Sequence, residues 1–140
     1  RPYLVFTLPL IADVQNRDEL AFILGHEAAH HIEGHLQSTN ANAQIGALVL
    51  AGLAQAAGSS AAAIDAAGQV GATIGARTYS KDFELQADAL GTVIAARAGY
   101  DPVRGSAYFA RIPDPGDQFL GTHPPNAQRQ QVVRQIAAGL

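Results

Sequence analysis

The sequence predicts a mainly α-helical fold, with at most a small β contribution. Three long segments, 16–37, 41–76 and 80–98, carry the residue pattern or the composition of helices. Only one short segment, 3–8, is rich in β-forming residues, and we expect it to form a single strand. A chain of 140 residues, of which 48% are hydrophobic, can bury one core. We therefore expect a single domain over residues 1–140.

Composition excludes several classes of function. The net charge is −3 and Lys81 is the only lysine, so no basic surface for nucleic acid is expected. The absence of Cys excludes disulfides and thiolate zinc sites. The chain also lacks Met, and we expect it to be a piece of a longer polypeptide, from which any targeting segment would be missing.

The segment 16–37 has the signals of a helix start. Asn16 is a good N-cap, Glu19 can complete a capping box, and Asp18 in the first turn suits the helix dipole. We expect one continuous helix over this segment. The apolar stripe predicted to face the core consists of Leu20, Ile23 and Leu24.

This helix carries the motif H-E-x-x-H at positions 26–30. His26 and His30 are spaced i and i+4, so both imidazoles project from one helix face and can bind one Zn²⁺. Glu27 is offset by about 100° around the axis, where it can reach a water at the metal without being a ligand. This arrangement is typical of a metallopeptidase, which needs a third protein ligand.

Residues close to the motif make poor third ligands. His31 points away, and His35 lies about 180° around the helix from His26, so it cannot converge while the helix is intact. The metzincin pattern fails, because Glu33 and Leu36 stand where it requires Gly and His. Glu33 shares the face of His26 two turns away, and we expect a solvated or substrate-side carboxylate there.

Segment 41–76 is predicted to form a helical hairpin inserted between two motifs. Ala and Gly fill 20 of its 36 positions, Asp65 is its only charge, and residues 58–60 divide it into two helices. The small residues that would permit close helix packing are Ala67, Gly71 and Gly75. Three interpretations remain open, namely an internally packed hairpin, a membrane-surface or partner-docking element, and a membrane-dipping hairpin. Its apolar run, 45–54, is too short to span a bilayer.

The segment 80–98 is predicted to be a helix that begins with Ser80 as a cap and ends before Gly99. Glu84 and Asp88 are spaced i and i+4, so both carboxylates lie on one face. One can bind a metal while the other accepts an N–H from a ligating His. The alternative is a pair of surface carboxylates on an amphipathic helix.

The C-terminal third contains shorter elements. Asp101 caps a short helix to about residue 111, and a loop of Pro, Asp and Gly residues follows over 112–121. A last helix opens after His123 and two prolines, and its predicted core face is formed by Val132, Val133 and Ile136. By pattern alone, His123 would be a loop histidine and Arg129 a solvated helix residue.

Three motifs in order carry a family resemblance: H-E-x-x-H at 26–30, E-x-x-A-D at 84–88, and Thr-His-Pro-Pro at 122–125 with Arg129. Together they resemble the gluzincin zinc metallopeptidases of the HtpX, BepA and CAAX prenyl protease 1 type, over residues 3–134. The resemblance implies a zincin-like helical domain with a helix for each of the first two motifs and a small strand element. In that family a strand with an Asn-Ala-x-Ala pattern precedes the segment at 3–7, and we expect this chain to lack it.

The resemblance also implies roles for individual residues. One Zn²⁺ per chain would be bound by His26, His30 and Glu84, with Glu27 as the general base. Asp88 would be the partner of a ligating His.

Two further residues receive roles from the resemblance. His123 would sit over the site, either as a hydrogen-bond donor to the transition state or as a gate, and a gate is preferred. Arg129 would anchor the motif carboxylates.

The predicted function is that of a zinc-dependent endopeptidase. It would act on protein or peptide substrates in quality control or processing at a cell envelope, in the periplasm or at a membrane. Members of the resembling family place membrane-associated or site-covering elements at the position of 41–76, so we expect membrane-surface or envelope-protein contact there. The alternative is a non-proteolytic, zinc-bearing module with a blocked site and an interaction or chaperone-like role.

Overall fold

The computed structural model describes residues 3–140; residues 1 and 2, the start of the predicted domain, lie outside the described residues. The regular elements of this part of the chain are all helical, which confirms the predicted fold class. In order they are α1 (Leu8–Asp13), α2 (Arg17–Ile32), α3 (His35–Ala56), α4 (Ala61–Thr78), α5 (Ser80–Arg97), α6 (Pro102–Gly105), a 3₁₀ helix (Ser106–Ala110) and α7 (Asn126–Ala137).

The strand predicted over 3–8 is wrong. Residues 3–7 have no regular secondary structure, and Leu8 begins α1. Thr7 caps this helix, because its Oγ1 accepts a hydrogen bond from the backbone N–H of Leu10 at 3.4 Å. β-forming residues make a strand only when a neighbouring strand satisfies their backbone groups, and residues 3–140 contain no strand to pair with.

Helix α2 starts as predicted but ends earlier. The Oδ1 of Asn16 accepts hydrogen bonds from the backbone N–H groups of Asp18 and Glu19, at 3.1 and 3.0 Å. The helix ends at Ile32, and Gly34 takes a left-handed conformation with φ of 68°. Glycine adopts this conformation without a steric penalty. The chain therefore changes direction, and the continuous helix predicted over 16–37 is wrong.

The buried face of α2 also differs from the predicted stripe. Leu20 and Leu24 are 37% and 47% exposed, and Ile23 is half-buried. The residues buried instead are Glu19, Phe22, Gly25, His26 and Ala29. The orientation of α2 is therefore set by the elements that pack against it rather than by its most apolar residues.

Glycines explain how closely α2 approaches α5. A Cβ atom on Gly91 would lie 2.8 Å from the backbone nitrogen of His26 and 2.9 Å from its Cα. A Cβ atom on Gly25 would lie 2.9 Å from the carbonyl oxygen of Gly91. Real side chains essentially never make such contacts, so both positions require glycine. This close packing brings the helix that carries H-E-x-x-H against the helix that carries Glu84.

Helices α3 and α4 form an antiparallel hairpin, with the connection at residues 57–60 where the sequence predicted it. Gly71 contacts the backbone of Gly46, and Gly75 contacts that of Asn42, so small residues do permit the close packing. The large apolar side chains that remain exposed are Ile45, Leu48, Val49, Leu53, Val70 and Ile74. Among the helices of residues 3–140, none is both long and apolar enough to cross a bilayer.

The start of α5 and the C-terminal elements complete the fold. Ser80 does not cap α5, because its Oγ donates to the carbonyl of Ala76 and α4 runs almost directly into α5. Asp101 caps α6 as predicted, and the second half of that segment is 3₁₀. Val133 on α7 is fully buried against Phe22 and Phe109, whereas the other two predicted core residues of α7, Val132 and Ile136, are half-buried.

A bidentate ion pair links α2 to the residue that follows the 3₁₀ helix. Both carboxylate oxygens of Glu19 accept hydrogen bonds from the guanidinium of Arg111, at 2.6 and 2.8 Å. The Arg111 hydrogen bonds hold the pKa of Glu19 below its usual value despite burial. Oε2 of Glu19 also accepts from the backbone N–H of Gln15 at 2.8 Å, rather than from Asn16 as a capping box requires.

Candidate metal centre

Three side chains from α2 and α5 converge on one point. The Nε2 atoms of His26 and His30 are 3.1 Å apart. Nε2 of His26 lies 3.5 Å from Oε2 of Glu84, and Nε2 of His30 lies 3.2 Å from Oε1 of Glu84. Among residues 3–140, these three form the group of His, Asp and Glu side chains whose ligand atoms are close enough to share a metal ion.

The geometry of this group fits zinc. Tetrahedral zinc with bonds of about 2.0–2.1 Å places its ligand atoms about 3.3 Å apart. The three observed separations lie within a few tenths of an ångström of this value. Two imidazole nitrogens and one carboxylate are also donors that suit zinc better than Mg²⁺ or Ca²⁺. The residues present therefore fit a bound zinc ion, with a fourth position left for water or substrate.

Asp88 and Arg129 hold the first of the imidazoles. Oδ1 of Asp88 lies 2.9 Å from Nδ1 of His26, and because an ionised carboxylate only accepts, Nδ1 must donate. The Nε2 of a neutral His26 is then a bare lone pair aimed at the metal position. Asp88 is fully buried, and Arg129 donates to both of its oxygens at 2.8 Å. Because Asp88 and Arg129 are buried, Glu84 and Asp88 are not a pair of surface carboxylates, and Arg129 is not a solvated helix residue.

The charges of the centre favour a cation. Burial by itself lowers the pKa of His26, but its hydrogen bonds to Asp88 and Glu84 raise that pKa to about 9. Burial by itself raises the pKa of Glu84, but its contacts with His26 and His30 hold that pKa well below its usual range. The same carboxylates that stabilise a proton on His26 therefore also stabilise a metal ion in its place.

The raised pKa predicts how the stability of the metal-free protein changes with pH. A group whose pKa is higher in the folded state stabilises the fold fully below its unfolded pKa, here 6.5, and loses this contribution as pH rises toward 9. We expect the free energy of unfolding in a chelator to fall by on the order of 3 kcal/mol between these pH values. Urea unfolding at pH 6.5 and at pH 9 measures this change in the free energy of unfolding.

Two controls accompany this measurement. His26→Gln should lack the decline, because no imidazole titrates. Zinc-loaded protein should also lack it, because the metal occupies the lone pair that would take the proton. A metal-free wild-type protein equally stable at pH 6.5 and 9 would contradict the electrostatic account of the site.

The second imidazole is held by a residue that the sequence appeared to exclude. Nδ1 of His30 lies 2.9 Å from Nδ1 of His35, whose Nε2 lies 3.0 Å from Oε1 of Gln86. The imidazole of His35 stacks on Phe83 with ring centroids 4.5 Å apart. The prediction that His35 cannot converge assumed an intact helix, and Gly34 breaks that helix. Gly34 is the signal in the sequence that could have indicated this contact.

The remaining predicted site residues lie at the cleft. Glu27 and His123, together with His30 and Glu84, line two adjacent cavities of about 350 and 310 Å³. Nδ1 of His123 is 3.3 Å from Oε2 of Glu84, and its side chain is 55% exposed. Glu33 is exposed at the end of α2 and lines neither cavity.

The two cavities share some lining residues and differ in others. The first also contains hydroxyl and imidazole groups from Thr39, Ser80, Thr122 and His31. The second has a largely apolar wall formed by Leu10, Phe22, Ile23, Tyr108, Phe109 and Ile112. Both linings are mostly apolar, and His30 and Glu84 belong to each, so the metal group borders both cavities.

Comparison with known proteins provides independent findings. The sequence model of the family described as "Peptidase family M48" matches residues 1–137. A protein of Vibrio cholerae serotype O1, named "Putative beta-barrel assembly-enhancing protease", is 31% identical over 122 residues. That alignment covers 80% of this chain but 25% of the relative, so the chain corresponds to about a quarter of that protein. No solved structure shows significant similarity to the chain.

Proposed function

The chain belongs to peptidase family M48, a family of zinc-dependent metallopeptidases, and from this premise we propose that it is a zinc-dependent endopeptidase of the HtpX, BepA and CAAX prenyl protease 1 type. The observation that carries the proposal is the convergence of His26, His30 and Glu84 at a cleft that Glu27 also lines. In this proposal the first three hold one zinc ion.

The other residues have roles that follow from their contacts. A bound zinc ion supplies Lewis-acid polarisation, which lowers the pKa of a water molecule to about 7. Glu27 would be the general base, which accepts a proton from the attacking water and returns it to the leaving amine. Asp88 fixes the tautomer of His26, and Arg129 neutralises Asp88 while remaining close to Glu84.

A cleavage assay on an unfolded protein substrate tests the proposal. We expect cleavage by the zinc-loaded chain, loss of cleavage after chelation, and recovery when zinc but not Mg²⁺ is returned. Mass spectrometry of the products identifies internal cuts, which an endopeptidase makes and an exopeptidase does not. Zinc binding at one ion per chain without any cleavage would instead support the alternative, a zinc-bearing interaction module.

His123 is proposed to donate a hydrogen bond to the transition state. It contacts Glu84 and lines both cavities, but it is not among the three side chains that share the metal position, which favours a donor over the resting gate preferred from the sequence. We expect His123→Ala to lower kcat by about 10²–10³-fold with zinc affinity unchanged. Single-turnover rates and a zinc titration measure both quantities. Higher turnover in the variant would establish a gate instead.

A role at the cell envelope, in the periplasm or at a membrane, is proposed from two observations. The relative from Vibrio cholerae is named for β-barrel assembly. The α3–α4 hairpin exposes six large apolar side chains and carries one charge between residues 41 and 76, a surface suited to an envelope protein or a membrane surface. At the envelope the peptidase would act on protein or peptide substrates, in quality control or in processing.

A further inference from the structure

The two zinc-facing imidazoles are held in different ways. Nδ1 of His26 is bound to the charged pair of Asp88 and Arg129. Nδ1 of His30 is bound to a neutral chain of two side chains, His35 and then Gln86. His35 is only 4% exposed, so its ring nitrogens have little access to water as alternative partners.

The protons along this chain are fixed by which atoms can donate and accept. A metal on Nε2 of His30 leaves the proton of that imidazole on Nδ1, which must then donate. The atom it meets, Nδ1 of His35, must accept, so the proton of His35 lies on Nε2. That N–H faces the amide oxygen of Gln86 at 3.0 Å, which is an acceptor. With the amide oxygen of Gln86 facing His35, every donor in the chain meets an acceptor when Nε2 of His30 is free for a metal.

We propose that His35 is a positioning residue of the metal centre, whose Nδ1 accepts the Nδ1–H of His30 and so holds Nε2 of His30 toward Glu84. The inference rests on the proposed zinc site and extends it to a residue outside the three proposed ligands. Stacking on Phe83 fixes the plane of the His35 ring, and the left-handed Gly34 places His35 at the start of α3. Because the chain is neutral, it orients His30 without adding a charge.

Two substitutions of His35 separate hydrogen bonding from packing. His35→Phe keeps an aromatic ring for stacking on Phe83 but has no acceptor. His35→Asn is smaller, but its Oδ1 can take the place of Nδ1 as an acceptor. Loss of a group that supports a metal ligand typically weakens metal binding by about 10–100-fold. We expect that loss in His35→Phe and recovery to within a few-fold of wild type in His35→Asn.

The measurement is zinc affinity by competition with a chelator, using the full chain at a fixed pH. His31→Phe is the matched control, because it makes the same chemical change at an exposed residue of α2 that lies outside the metal group, and it should leave zinc affinity unchanged. Equal affinity in wild type and His35→Phe would overturn the proposal. Equal weakening in His35→Phe and His35→Asn would overturn it too, because an acceptor at position 35 would then fail to restore zinc binding.

A spectroscopic test needs only the wild-type protein, so it holds even if a variant fails to fold. Nitrogen-15 NMR of zinc-loaded protein should show the proton of His30 on Nδ1 and that of His35 on Nε2. A proton on Nδ1 of His35 would overturn the proposal. A wild-type chain that binds no zinc would instead contradict the proposed function, and the two failures are therefore distinguishable.

Discussion

Glu27→Gln is expected to lose most peptide hydrolysis while keeping its zinc. Glu27 lines both cavities beside the metal position but is not one of the three residues that converge on it. An amide cannot accept the proton of the attacking water, so the general-base contribution disappears, typically a loss of about 10²–10⁴-fold. The measurements are kcat on an unfolded protein and the zinc content of the purified variant.

Glu33→Gln is the matched control for this prediction. It makes the same chemical change at the C-cap of the same helix, at an exposed residue that lines neither cavity, and its turnover should equal that of wild type. Wild-type turnover in Glu27→Gln would refute the proposed mechanism. A Glu27→Gln variant that also loses zinc would show that Glu27 acts at the metal and not only on water.

Glu84→Ala is expected to weaken zinc binding more than any change outside the three proposed ligands. Within residues 3–140 it removes the only carboxylate that approaches Nε2 of both His26 and His30, and with it the negative charge that offsets the metal. A supporting carboxylate is worth about 10–100-fold in affinity, so we expect Asp88→Asn to fall in this range and Glu84→Ala to exceed about 100-fold. Chelator competition gives all three affinities on one scale.

The control for the Glu84 substitution is Asp82→Ala, an exposed carboxylate in the first turn of the same helix. Its zinc affinity should match that of wild type. The order of the effects is itself informative, since Asp88→Asn weakening zinc more than Glu84→Ala would exchange the proposed roles of the two carboxylates. Unchanged affinity in Glu84→Ala would remove Glu84 from the ligands.

The sequence by itself determined the features of this protein that depend on neighbours within about four residues. Asn16 and Asp101 cap helices because their side-chain oxygens reach backbone N–H groups two or three residues ahead. The spacing of His26 and His30, and of Glu84 and Asp88, places each pair on one helix face for the same local reason. These relations hold whatever the rest of the chain does, which is why each pair was predictable from spacing, whereas Glu84 as the third ligand was implied by the family resemblance.

Local pattern could not predict which of several favourable faces would be buried. The face of α2 that carries Leu20 and Leu24 is the more apolar one, yet it is exposed. The face that carries Gly25 is buried instead, because Gly25 and Gly91 allow α2 and α5 to approach closely. Residues 3–7 illustrate the same limit, since their β propensity has no strand to pair with in the described chain.

Only the tertiary structure decided the partners that surround the metal centre. By pattern alone Arg129 looked like a solvated helix residue, and only the family resemblance implied an anchor; in the structure it is buried and pairs with Asp88, 41 residues away. His35 looked incapable of reaching the site, but one left-handed glycine turns the chain so that it meets His30 and Gln86. Contacts between distant segments depend on how helices are placed in space, and helical periodicity carries no information about that placement once a helix ends.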